Sequence, residues 1–336
     1  PLHARGLMEL DAWSLLACVV QLSAGGFSPL VVPLVALFSF AFPEAWWTRF
    51  AEASSPWLCT AVWMPALAIS TYWLNGLILL AVDAAAPPEV RRRYKIQPDK
   101  QFDYGQLWKI AKNVLFGQIF VIVPYALVCA QIGKHTWMGV RLPLELPSSR
   151  ELLLDMVGFV LFDEVVFYYS HRLLHCKVAG VNLYTRIHKV HHEFTAPIGL
   201  VASYCHPLEM LLSNAIPLTL GGCLMQAHAY SLMTWIIFAV LGTQFHHSGY
   251  RFPWVPSLDH NPDFHDFHHQ RFSCNYGLLG WLDRLHGTDI AWREVKQQAA
   301  PKAAQSLRGA ASGAVAAVAL GCLASQVSAV SGSAAP

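Results

Sequence analysis

The sequence predicts an all-α integral membrane protein with four to six apolar segments and a histidine-rich helical cap. Hydrophobic residues make up 54% of the 336 residues, and charged residues only 13%, about half the share that is usual in soluble domains. The mean hydropathy is +0.37, and several uncharged runs reach the ~20 residues that a bilayer crossing needs. The net charge of +2 is close to balanced, so nothing suggests a nucleic-acid partner.

The amino-terminal half contains three uncharged runs. Residues 12–43 are interrupted by glycines and prolines, which leaves a kinked span or a half-buried hairpin as alternatives, and the run is too long for a signal peptide. Residues 53–82 and 113–133 are more regular and predict one crossing each. The connector between these two runs, residues 84–112, carries seven basic residues, which predicts that it lies on the cytoplasmic side. It reads either as a solvated loop or as a contact for anionic lipid or a redox partner.

The carboxyl-terminal half predicts three further crossings. Residues 151–170 form a fourth apolar segment, although it contains Asp155, Asp163 and Glu164. Residues 210–250 hold no Asp, Glu, Lys or Arg and are long enough for two crossings, with Gly221 and Gly222 as the expected turn. Two crossings there return the chain to the side that it left.

Three histidine clusters form the cap. If they are helical, His171 and His175 share one face, as do the members of the two HxxHH clusters. The two HxxHH clusters are His188, His191, His192 and His265, His268, His269. Imidazole is the commonest metal ligand, and eight imidazoles exceed what one ion can hold, so we predict a pair of metal ions. The alternative, eight surface or core histidines with no metal, requires the helical spacing to recur three times by chance. The spacing does not distinguish iron from zinc.

The order HxxxH, HxxHH, HxxHH in a hydrophobic chain resembles the fatty acid hydroxylase superfamily, the membrane-bound di-iron enzymes that include sterol desaturases and C-4 methylsterol oxidases. The flanking residues 167–172 and 191–197 support the resemblance, as do His247-Ser248-Gly249-Tyr250 and Asn275-Tyr276-Gly277. It covers roughly residues 60 to 290, and the methylsterol oxidases are the most similar branch.

The resemblance implies two iron ions per chain, with O2 as co-substrate, and adds His206 and His247 to the ligands. The predicted metal ligands are therefore His171, His175, His188, His191, His192, His206, His247, His265, His268 and His269. It also implies a multi-pass protein of the endoplasmic reticulum membrane whose active site faces the cytoplasm. The sequence contains neither a dinucleotide-binding fingerprint nor a haem-binding sequence. Electrons are therefore expected from a separate membrane partner, and the resemblance implies that this partner is cytochrome b5 with its NAD(P)H-dependent reductase.

Four further polar residues are candidates for supporting the ligands. Glu164 lies seven residues before His171, two turns along the same face, although an interfacial position for Glu164 is an equal alternative. Asp259 and Asp266 could accept Nδ1–H hydrogen bonds from ligand histidines. Asn275 belongs to a sequence that the family shares.

These observations predict three regions and one reaction class. Residues 1–150 would hold transmembrane segments and the basic connector, 151–292 the di-iron domain, and 293–336 a low-complexity, disordered tail, with a further span there as a weaker alternative. The expected reaction is oxidation of a lipid C–H bond, on the C-4 methyl group of a sterol intermediate. The alternatives are a fatty acyl or sphingolipid hydroxylase and a non-catalytic, metal-binding lipid carrier or scaffold.

Overall fold

The computed structural model describes residues 44–251 and 262–299, and their regular structure is mostly helical, as predicted. The predicted segment 12–43, Asp259 and the tail beyond residue 299 lie outside the described residues. Residues up to Thr288 belong to one compact unit and those from Asp289 to a second. The described part of the second unit, residues 289–299, contains α11, Ile290–Ala299. The boundaries predicted at residues 150 and 292 stay predictions.

The first four helices contain the two longest apolar elements. Helix α1 spans Glu44–Glu52, α2 Pro56–Ala85, α3 Pro88–Tyr94 and α4 Tyr104–His135. Among the described residues, α2 with 30 residues and α4 with 32 are long and apolar enough to cross a membrane. They coincide with the predicted runs 53–82 and 113–133. The total of four to six apolar segments stays a prediction.

Three helices widen into a π turn just before a proline. The pairs are Cys59–Trp63 with Pro65 in α2, Gln118–Ile122 with Pro124 in α4, and Met210–Ala215 with Pro217 in α7. Proline has no N–H group, and its ring collides with the carbonyl four residues earlier. In each case that carbonyl lies inside the π turn, where the hydrogen-bond register is already shifted. The prolines therefore widen these helices without ending them.

Helix α5, Ser149–Leu174, is the central element. The Ser148 hydroxyl caps its first turn by accepting a hydrogen bond from the Glu151 N–H at 3.2 Å. Beyond its end, strands β1 (Lys177–Val178) and β2 (Val181–Asn182) form a small antiparallel ribbon before α6, Leu183–Arg186. This ribbon is the one departure from an all-α structure among the described elements.

Helices α7 and α8 occupy the run for which two crossings were predicted. Helix α7 covers residues 207–224, and α8 spans Ala229–His246. Gly221 and Gly222 lie inside α7 and do not form the expected turn, which falls at residues 225–228. The absence of a side chain at Gly221 allows α7 to pack closely against α5, because a Cβ there would lie 2.8 Å from the Phe162 ring. The glycines thus mark close helix packing.

Two short helices complete the first unit. Helix α9 spans Asp263–Arg271 and α10 spans Trp281–His286. A buried apolar core joins α5 and α8, with Leu152, Phe159, Leu232 and Ile236 among its members. This core holds the carboxyl ends of α5 and α8 at one end of the bundle, where the histidines follow.

Candidate metal centre

Nine histidines converge into two groups at one end of the helices. The five-histidine group contains His171, His175, His188, His192 and His268, and the four-histidine group contains His191, His247, His265 and His269. Within each group, the ring nitrogens that could serve as ligands all lie within 4.8 Å of one another. The eight histidines of the three predicted clusters and His247 are all included.

Several elements deliver these side chains. His171 lies in the last turn of α5, His175 caps that helix, and His247 follows α8 directly. The first HxxHH cluster occupies a 3₁₀ helix, His188–Glu193, where an α-helix was expected, and the second lies in α9. The tighter 3₁₀ winding brings residues three apart into line, whereas α-helical winding spreads them around the axis.

Each HxxHH cluster contributes to both groups. His188 and His192 belong to the five-histidine group, whereas His191 belongs to the four-histidine group. The second cluster contributes one histidine, His268, to the five-histidine group and two, His265 and His269, to the four-histidine group. The two groups are therefore adjacent and share two short backbone segments.

Backbone carbonyls determine which ring nitrogen faces the group. Nδ1 of His191 lies 3.2 Å from the Tyr204 carbonyl oxygen, and Nδ1 of His247 lies 2.8 Å from that of Thr243. Because a carbonyl only accepts hydrogen bonds, each Nδ1 must carry the hydrogen, and each Nε2 then presents a lone pair. These two Nε2 atoms are 3.2 Å apart. Two lone pairs at that distance repel each other unless a cation lies between the rings.

The five-histidine group is built in the same way. Nδ1 of His171 donates to the Tyr276 carbonyl at 2.8 Å, and Nδ1 of His268 donates to that of Cys274 at 2.5 Å. Their Nε2 atoms lie 3.0 Å from that of His188 and 3.1 Å from that of His192, respectively. Nε2 of His175 is buried and has no hydrogen-bond partner among the described residues. The donor set fits a metal ion that accepts imidazole nitrogen.

Burial keeps these imidazoles neutral. Removal from water lowers the pKa of His191 to about 4 and that of His175 to about 2. Neutral imidazole is the form that binds metal. The protein therefore holds the rings in their metal-binding form before any ion arrives.

Glu209 is a residue of the site that the sequence reasoning missed. It lies in the first turn of α7 and is 3% exposed, and its Oε1 is 2.8 Å from Nδ1 of His188. The contact does not have hydrogen-bond geometry, but a carboxyl group this close to Nδ1 restricts the orientation of the ring. Glu209 is also the last charged residue before the uncharged run 210–250, and this placement was the available signal.

His206 lies outside both groups. Its Nδ1 accepts a hydrogen bond from the Leu208 N–H at 3.1 Å and so caps the start of α7. The Asn275 side-chain amide donates to the Phe264 carbonyl at 2.9 Å, and among the described residues it forms no hydrogen bond with a histidine ring. Both residues adjoin the site without entering it.

The predicted carboxylates support the site from a distance. Glu164 accepts hydrogen bonds from the backbone N–H groups of Leu278 and Leu279, both at 2.9 Å. It thereby fixes the segment that starts at Tyr276, whose carbonyl receives the His171 hydrogen bond. The Asp266 carboxylate is engaged by side-chain amides, Gln97 at 3.0 Å and Gln270 at 2.6 Å. Among the described residues, the Asp266 carboxylate does not accept the Nδ1–H hydrogen bond that was expected of it.

An apolar cavity of about 170 Å³ opens directly beneath the histidines. It runs between α2, α4, α5, α7 and α8, and its walls include Ala68, Leu218 and Ile236. Along α7 the lining extends from Glu209 to Cys223, fourteen residues or about 21 Å of helix. The cavity is thus long and narrow, with the imidazoles at one end.

These features define a class: a mostly helical protein with apolar helices and a paired histidine site, able to bind metal, at the end of an apolar cavity. The fatty acid hydroxylase family model matches residues 156–288, which contain all nine histidines. The chain is 37% identical over 259 residues to fatty acid hydroxylase domain-containing protein 2 of Macaca fascicularis, covering 76% of this chain and 75% of that protein. It therefore belongs to the fatty acid hydroxylase family.

Two other relatives extend the comparison. Methylsterol monooxygenase 1 of Gallus gallus is 35% identical over 216 residues, 62% of this chain and 71% of that protein. Very-long-chain aldehyde decarbonylase GL1-8 of Oryza sativa subsp. indica is 33% identical over 235 residues, 68% of this chain and 84% of that protein. No solved structure matches the chain.

Proposed function

We propose that this protein is a membrane-bound di-iron oxygenase that oxidises a lipid C–H bond, and that its substrate is a sterol intermediate attacked at the C-4 methyl group. The observation that carries the metal site is the pair of facing Nε2 lone pairs on His191 and His247, 3.2 Å apart. The nine histidines of the two groups would hold the ions, five at one and four at the other.

The protein's own residues prepare the site for this chemistry. Iron bound there would supply oxygen activation, which no side chain can provide. The carbonyls of Tyr204, Thr243 and Tyr276 hold Nδ1–H groups and direct each Nε2 inward. The surrounding burial excludes water and so protects a reactive centre from side reactions.

The cavity favours a long apolar substrate. Its far end lies about 21 Å along α7 from Glu209, and a rigid, flat sterol suits so narrow a space. Relatives named as methylsterol monooxygenases support a sterol over other lipids. An acyl chain is the second candidate, because a flexible chain could enter the same cavity and a relative is named for very-long-chain aldehydes. A lipid carrier without turnover would not need nine converging imidazoles.

Electrons would come from a separate donor, cytochrome b5 with its NAD(P)H-dependent reductase, at the cytoplasmic face of the endoplasmic reticulum membrane. The basic connector adjoins the histidine end of the bundle, because the Ile96 N–H donates to the Gly249 carbonyl at 2.9 Å. Arg92 and Arg93 are in α3 of this connector. Positive charge beside the site would attract an acidic donor.

The test is complementation of cells that lack their own C-4 methylsterol oxidase. Wild-type protein should clear the accumulated 4-methylsterols, and His192→Ala should express but fail to clear them. Sterol analysis by mass spectrometry reads the result, with 2-hydroxy acyl lipids followed in the same extracts. Persistent 4-methylsterols despite good expression, bound iron and a supplied electron donor would reject the sterol assignment and favour the acyl chain.

A further inference from the structure

An acidic side chain lies in the apolar wall of the cavity. Asp163 is 7% exposed and lines the cavity, and the next two cavity-lining residues of α5 are Phe167 and His171. The spacing of four residues places all three on one stripe of the helix. His171 is eight residues further along, so Asp163 lies about 12 Å from it along the helix axis.

The Asp163 carboxyl has no partner among the residues that the structure describes. In the described part of the chain it makes no hydrogen bond or ion pair, although burying a carboxyl without a partner is costly. Its neighbour Glu164 is fully used, since it accepts two backbone hydrogen bonds from Leu278 and Leu279. The contrast indicates that Glu164 stabilises the fold, whereas the Asp163 carboxyl is available to form a hydrogen bond with a ligand that enters the cavity.

Two other polar groups at this depth of the cavity are paired with each other. The Tyr125 hydroxyl and the Thr219 hydroxyl, which also line the cavity, lie 3.0 Å apart. Thr219 is ten residues beyond Glu209, about 15 Å along α7, so this pair lies at a depth similar to that of Asp163. Asp163 therefore offers a free acceptor at mid-depth, far below the histidines.

We propose that Asp163 is a specificity-determining residue that receives a hydroxyl group of the lipid at a depth of about 12 Å below His171. A hydroxyl can donate to an ionised carboxylate or accept from a protonated one, so the pairing works in either state. The sterol part of this inference rests on the proposed function. The 3-hydroxyl of a sterol adjoins C-4 and stays at the histidine end, so the group at Asp163 must be a second oxygen, on the side-chain half of the molecule.

The experiment compares matched lipids on the iron-loaded full chain in nanodiscs. One pair is a 4,4-dimethylsterol with and without a side-chain hydroxyl, and the other is a fatty acyl chain with and without a mid-chain hydroxyl. Binding is read as the ligand-dependent shift in Tm and, separately, turnover as kcat/KM. The variants are Asp163→Leu and the isosteric Asp163→Asn. Asp155→Asn is the control, because Asp155 is buried on the same helix and does not line the cavity.

Wild-type protein should bind the hydroxylated sterol at least about 10-fold more tightly than the plain one, because the plain lipid leaves a buried carboxyl unsatisfied. Asp163→Leu should abolish this preference, Asp163→Asn should reduce it, and Asp155→Asn should keep it.

A preference in the acyl pair alone would support the role of Asp163 while overturning the sterol function. Equal binding within both pairs by the wild type, no binding of any of the four lipids, or a preference that survives in Asp163→Leu would overturn the inference. The wild-type comparison decides even if a variant fails to fold.

Discussion

His191 and His192 are neighbours in the chain, yet their imidazoles belong to different histidine groups. Their ring centroids lie 5.5 Å apart, with the ring planes at 74°. His268 and His269 repeat the arrangement, with centroids 5.9 Å apart and planes at 86°. Near-perpendicular neighbours on two short helices therefore separate the groups and keep them adjacent, as a pair of cooperating ions would require.

The unequal size of the groups predicts unequal tolerance to substitution. His269→Ala leaves three imidazoles in its group, whereas His175→Ala leaves four in the other. We expect iron to fall from two ions toward one per chain in His269→Ala and to stay nearer two in His175→Ala. Metal analysis of anaerobically purified protein measures this. Wild-type protein with one ion or none would refute the pair.

Glu209 should control iron affinity without holding iron itself. Glu209→Gln keeps the side-chain shape but removes the carboxyl group beside Nδ1 of His188, and loss of such a supporting group lowers metal affinity about 10- to 100-fold. Competition with a chelator of known affinity measures the change.

Glu193→Gln is the matched control for this experiment. The Glu193 side chain is 42% exposed and bonds with Lys109 and Tyr204, away from the ring nitrogens. The Lys109 ammonium lowers the pKa of Glu193, but an exposed ion pair contributes at most about 1 kcal/mol. Iron affinity should be unchanged, and an equal loss in both variants would mean that Glu209 has no special role.

The sequence predicted the features that depend on local pattern. Uncharged runs located α2 and α4, because the hydropathy of a long helix is a property of consecutive residues. Histidine spacing selected eight of the nine residues that converge, and the family resemblance supplied His247.

Features that depend on tertiary packing could not be read in this way. Spacing placed the histidines of each HxxHH cluster on one helical face, but the 3₁₀ winding at His188–Glu193 and the approach of α9 divide both clusters between the two groups. The partners of the rings are mostly carbonyls, and any residue supplies a carbonyl. That of Tyr276 is 105 positions from His171. The contact between Glu209 and His188 likewise exists only because α7 returns to the site.

The basic connector and the histidines should share one side of the membrane. Gln97 of the connector donates to the Thr195 carbonyl at 2.7 Å and to the Asp266 carboxylate at 3.0 Å, so both lie at one end of the bundle. Single cysteines introduced at Arg92 and Arg271, in a background without other reactive thiols, should both react with an impermeant maleimide applied from the cytoplasmic side. Arg92 lies in α3 and Arg271 ends α9. Labelling of either site from the lumen would contradict the orientation.

The packing of α5 against α7 should depend on Gly221 but not on Gly158. A Cβ at Gly221 would meet Cγ and Cδ1 of Phe162 at 2.8 Å and its Cβ at 3.0 Å, and side-chain rotation cannot move Cβ away. A Cβ at Gly158 would meet only Sδ and Cε of Met225, the far end of a flexible side chain.

Gly221→Ala should therefore destabilise the fold by about 1–3 kcal/mol. Gly158→Ala should be neutral or gain up to about 1 kcal/mol of helix propensity. The two variants are compared by thermal unfolding in the same detergent, followed by tryptophan fluorescence. A Tm for Gly221→Ala at or above that of Gly158→Ala would show that the Phe162 contact does not limit how closely α5 and α7 pack.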